Sequence, residues 1–105
     1  MMIDMKTIDF RSFPSTLFTG RKNGNRAKAH FGISTQVFEN YKLIARDDQV
    51  ITSSYFLGLL GDSLKTFGGP LEILKHIDLS QVSPISRDEC EKAIKRGLTT
   101  NSGLI

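Results

Sequence analysis

Tryptophan is absent from this chain, and cysteine occurs once, as Cys90. One thiol forms no internal disulfide and brings no cysteine partners to a zinc site. No apolar run approaches the roughly 18–20 residues that a membrane span needs. Residues 1–10 lack the basic-then-apolar layout of a secretion signal, so a cytoplasmic location without membrane attachment is expected. The glycines around Arg21 have neither the spacing of a Walker-type phosphate loop nor that of a dinucleotide-binding turn. No His, Cys, Asp or Glu cluster has ligand spacing, and no set of residues reads as a triad or a paired acid and base. These absences favour a binding or regulatory module over an enzyme, with no cofactor and no metal.

What is present is ordinary for a globular domain. The 105 residues are 39% hydrophobic and 24% charged, enough for one core without covalent staples. The best-bounded stretch is 50–69. Val50 and Ile51 end an apolar strand, Thr52, Ser53 and Ser54 form a hydroxyl-rich turn, and a helix is predicted over 53–67. Phe56, Leu60, Leu64 and Phe67 recur at helical spacing and make an apolar face. Gly58 and Gly61 each cost about 1 kcal/mol of helix propensity relative to Ala, which implies close approach to a sheet or a partner. Gly68 supplies the stop.

Elsewhere a first strand is expected over 5–10, limited by Pro14, and a second, short one over 15–20. Asn23 and Gly24 signal a turn. Asn25 is placed to cap a helix over 26–41, interrupted near Ile33. Residues 41–45 read as a buried strand and 46–49 as a polar turn. Leu71, Ile73 and Ile77 suggest a strand over 70–77. Pro84 marks a loop, and Ser86 with Glu89 fits a capping box for a helix over 87–96, ended by Gly97. Residues 99–105 read as a frayed tail. The order predicts one small layered α/β domain spanning 1–105, its core within about 6–98. It would combine a mostly parallel or mixed sheet of about four to five strands with about three helices.

Ser53 and Ser54 sit where a helix begins. Either simply caps the helix, or one is a phosphorylation switch, because a helix start offers free amides and a positive dipole end to a phosphate. Arg21, Lys22, Arg26 and Lys28 fall within eight residues and supply much of the net charge of +3. They form either a solvated surface or a contact for phosphate or nucleic acid. His30 and His76 read as structural or surface residues, Asp47 and Asp48 as a solvated loop, and Cys90 as buried.

The run Ile51-Thr52-Ser53-Ser54-Tyr55-Phe56-Leu57-Gly58-Leu59-Leu60, then Phe67-Gly68-Gly69-Pro70-Leu71, resembles the STAS domain of anti-sigma factor antagonists. It is most similar to a STAS-like branch of bacterial proteins in which a serine is followed by an aromatic residue, as in Ser54-Tyr55. Upstream, Arg21, then Asn25-Arg26-Ala27-Lys28, then Phe38-Glu39-Asn40-Tyr41-Lys42, resemble that branch's first helix and its exit. Thr52 stands where the antagonists have Asp, and Tyr55 where they have Gly. The resemblance implies a non-catalytic regulatory module that binds a protein partner, a kinase-like ATPase or an anti-sigma type regulator. It makes Ser54 the position of the phosphorylated serine and puts Thr52, Tyr55 and Asp62 on the partner surface. The alternative function is a small basic nucleic-acid-associated or phage-type inhibitor protein. The oligomeric state is open.

Overall fold

The computed structural model describes residues 5–33, 40–64 and 70–103. Five strands and four helices follow one another along the described residues: β1 (Met5–Asp9), β2 (Leu17–Phe18), α1 (Arg21–His30), β3 (Asn40–Ile44), β4 (Val50–Ile51), α2 (Ser53–Leu64), α3 (Pro70–Lys75), β5 (Ile77–Gln81) and α4 (Pro84–Gly103). Every described pairing is parallel, as expected for an α/β chain. The strands nevertheless divide into two sheets, β1-β3-β5 and β2-β4.

β3 is the central strand of the larger sheet. Tyr41 and Leu43 alternate with Lys42 and are almost fully buried, so the strand expected over 41–45 is present. The smaller sheet joins the two segments that launch α1 and α2. Its ladder is two residues long, extended by bonds from Val50 N–H to the Thr16 carbonyl (2.8 Å) and from Thr52 N–H to the Phe18 carbonyl (2.9 Å).

Several boundaries differ from the expectation. Asn23 and Gly24 form no turn but lie inside α1. The helix start belongs to Gly20, whose φ of 94° only glycine adopts without strain. α1 closes at His30, and Gly32, with φ of 75°, turns the chain. The 34–39 part of the expected 26–41 helix and the 65–67 part of the central helix lie outside the described residues. Residues 70–75 are helix, not strand, and the strand begins at Ile77. Ile73 and Ile77, four apart, are both buried. That interval suits a helical turn as well as an alternating strand.

The last helix starts earlier. Ser83 is its cap: its Oγ accepts the Ser86 N–H at 3.2 Å and its carbonyl the Arg87 N–H at 3.0 Å. Pro84, expected in a loop, takes the first helical position, where its missing N–H costs nothing. Ser86, expected as the cap, is fully buried and accepts the Ile51 N–H at 3.0 Å instead. The backbone does not stop at Gly97 but stays helical to Gly103. Cys90, Ala93 and Ile94 line its buried side as expected. Among the described residues no helix is long and apolar enough to cross a membrane.

α2 packs between α1 and α4. At the α1–α2 crossing the backbones touch. A Cβ on Gly24 would run into the Tyr55 carbonyl and come within 2.8 Å of Leu59 N; one on Gly58 would run into the Arg21 carbonyl and come within 2.8 Å of Asn25 N. The close approach expected at Gly58 is therefore to a helix, not to the sheet. At Gly61 a Cβ meets open space.

Candidate functional site

The glycine crossing and the β2-β4 ladder bring the starts of α1 and α2 side by side. Thr52 precedes α2 and its carbonyl accepts the Phe56 N–H at 3.1 Å. The next residue, Ser53, is only 7% exposed. Its N–H donates to Glu89 Oε1 at 2.9 Å, and its Oγ accepts from Arg96 Nη1 at 3.2 Å, both from α4. Ser53 is thus buried and held by α4 through both its N–H and its hydroxyl.

Ser54 is half-buried and turned the other way. Its Oγ accepts the Gly20 N–H at 3.1 Å, across the gap to α1. It also shares a hydrogen bond with Thr52 Oγ1 at 3.1 Å, and Thr52 Oγ1 meets Thr19 Oγ1 at 3.2 Å. Three hydroxyls and one backbone amide therefore form a chain between two helix starts. Arg21 and Lys22, both exposed, follow directly. An acceptor with several oxygens fits there electrostatically, because both helix dipoles point their positive ends at it.

Glu89 carries out the capping that sequence assigned to it, but for another helix. The Ser53 N–H, followed by Lys92 at 3.1 Å, holds its carboxyl below the usual carboxylate range.

Tyr55, expected at the partner surface, is only 6% exposed. Its ring packs on Phe10 (centroids 6.1 Å apart) and Phe18 (5.7 Å). It lines a pocket of about 270 Å³ beside α1 with Phe13, Phe18, Phe31, Asn23 and Arg26. Burial pushes its phenol pKa up. Asp62 lies on α2 in a stretch whose side chains fall outside the described residues.

The four cations spread along and around α1. At about 100° per residue, Arg21 and Lys28 project from one side of α1, and Lys22 and Arg26 from another, about a third of a turn away. His30 leans on Phe13 (5.2 Å) and Phe31 (5.1 Å). His76 Nδ1 is 3.1 Å from Asn40 Oδ1. Asp47 and Asp48 are exposed, Asp48 paired with Arg46 at 3.0 Å. Cys90 is 1% exposed, its thiol pushed up to about 12 by burial. Among the described residues no three metal-ligating side chains cluster.

Sequence reasoning missed Gln49. It is fully buried, and its Nε2 donates to the carbonyls of Phe10 (2.8 Å), Phe13 (3.3 Å) and Ser15 (3.2 Å), while its Oε1 accepts the Arg46 N–H at 2.8 Å. Gln49 therefore pins the loop that supplies Phe13 to the pocket. Compared with family models, curated proteins and solved structures, the chain finds no match.

Proposed function

We propose that this chain is a regulatory protein–protein interaction module of the STAS-like kind, without catalysis of its own, and that Ser54 is its switch. The observation that carries the reading is the place of the Ser54 hydroxyl, bonded to Gly20 N–H across two adjacent helix starts. A kinase-like ATPase would pass the γ-phosphoryl of ATP to Ser54 Oγ, with loss of the hydroxyl proton and release of ADP. The phosphate would displace the Thr52 and Thr19 hydroxyls and draw on Gly20 N–H, the α2 amides and Arg21. That changes the shape and charge of the surface a partner meets. Thr52 and the exposed first turn of α1 would form part of the contact, with the ATPase or an anti-sigma type regulator as the partner. Such a role is cytoplasmic. The nucleic-acid alternative draws no support from α1, whose cations are split between two sides.

The reading is tested by incubating the full chain with ATP and lysate of its host, then mapping modified residues by tandem mass spectrometry. Modification at Ser54, abolished by Ser54→Ala and retained in Ser53→Ala, is expected. Modification at Ser53 instead, or none at either serine, would remove the switch.

A further inference from the structure

The pocket beside α1 is not used by the switch, and its chemistry is specific. Its walls are the rings of Phe13, Phe18, Phe31 and Tyr55, in edge and tilted contact with one another (Phe13–Phe18 6.0 Å, Phe13–Phe31 6.0 Å, Phe18–Tyr55 5.7 Å). Such ring arrays present both faces and edges to a flat guest. None of the lining residues is acidic, and Arg26 brings a guanidinium. Arg26 is exposed and has no hydrogen-bond or ion-pair partner among the described residues.

Tyr55 adds an independent observation. The residue is 94% buried, yet no hydrogen bond within the described chain engages its phenol oxygen, and that oxygen is not sealed from solvent. That leaves the hydroxyl open to water or to a guest of the pocket that Tyr55 lines. Asn23 donates one amide N–H to the Thr19 carbonyl at 2.9 Å, which leaves its other N–H and its oxygen available. At about 270 Å³ the space falls just below the roughly 300–1,000 Å³ typical of drug-sized ligands. A one- or two-ring guest fits that volume.

We infer that this pocket binds a small planar aromatic carboxylate, its ring among the four aromatic side chains, its carboxylate on Arg26, and its remaining polar edge on the Tyr55 hydroxyl and Asn23 amide. The charge complement selects an anion, and the aromatic walls select a flat apolar body over a sugar or a free phosphate.

The test is an amide-resolved NMR titration of the full chain with 6-hydroxynaphthalene-2-carboxylate and, separately, with its neutral carboxamide. Saturable shifts confined to residues 13–18, 23–31 and Tyr55 are expected for the carboxylate, with a Kd of about 1 mM or tighter. The carboxamide should bind roughly fivefold more weakly, the scale of one exposed ion pair. Arg26→Gln should bring the two ligands to equal affinity, and Tyr55→Phe, which keeps the ring packing, should weaken both. Equal affinity of the two ligands for the parent chain would overturn the assignment, as would the absence of saturable shifts. Carboxylate shifts centred on Gly20 and Ser54 would move the anion site to the helix starts and equally overturn it.

Discussion

Replacing Gln49 with Leu leaves the Arg46 N–H and the Ser15 carbonyl without a partner, and leaves the Phe10 and Phe13 carbonyls with only the Phe13 N–H (3.1 Å) and Arg46 Nη1 (3.0 Å). Each buried polar group left unpaired costs about 1–3 kcal/mol, and water reaching the loop relieves part of the sum. Gln49→Leu is expected to lose about 3 kcal/mol of stability in urea unfolding, despite its added hydrophobicity. Glu89 makes a second, pH-dependent contribution. The fold lowers its pKa, chiefly through the Ser53 N–H and then through Lys92. The stabilisation is therefore complete above the unfolded carboxylate value and lost as pH falls through the depressed folded one. Glu89→Gln should cost about 1 kcal/mol near neutrality, and the difference from the parent chain should vanish in acid. A constant difference across that range would contradict the assigned bond. Neither role is visible in the sequence. Gln49 lies in a run of polar residues that reads as a solvated turn, and the three carbonyls it holds are 34 to 39 residues away. Glu89 does sit three residues after a serine, as a capping box requires, but its partner comes from α2.

At the scale of elements, two glycines on facing helices decide the architecture. Gly24 and Gly58 let α1 and α2 touch backbone to backbone, whereas Gly61 faces open space. Gly24→Ala should cost about 3 kcal/mol or more, since backbone rather than a flexible side chain must yield. Gly61→Ala should be neutral or gain up to about 1 kcal/mol from helix propensity. Thermal unfolding of the two variants separates them. α2 was legible because its strand end, hydroxyl turn and apolar face all agree, and Phe56, Leu59 and Leu60 are buried as that face requires. α1 was legible only in part. Asn23-Gly24 carries the local chemistry of a turn, and tertiary contact with Tyr55 and Gly58 overrides it. β5 was missed because Ile77 and Leu79 are its only apolar residues; the short α3 just before it took the stronger hydrophobic spacing.

For the whole molecule, the consequence is one end of the fold where two helix starts, three hydroxyls and the mouth of an aromatic pocket lie close in sequence. Ser54 and Tyr55 are consecutive, yet the first opens to the helix starts and the second to the pocket. The residues alone pointed to the serine pair, and the resemblance singled out Ser54, but neither showed how the two side chains are held. α4, more than 30 residues downstream, holds Ser53 with Glu89 and Arg96 and leaves Ser54 facing α1. The measurement closest to the central claim is the affinity of a partner captured from host lysate for the Ser54→Ala and Ser54→Asp chains, by titration calorimetry at equal protein stability. The proposed switch predicts affinities that differ by about tenfold or more, within the range of known allosteric couplings. Equal affinity for the two chains would contradict it.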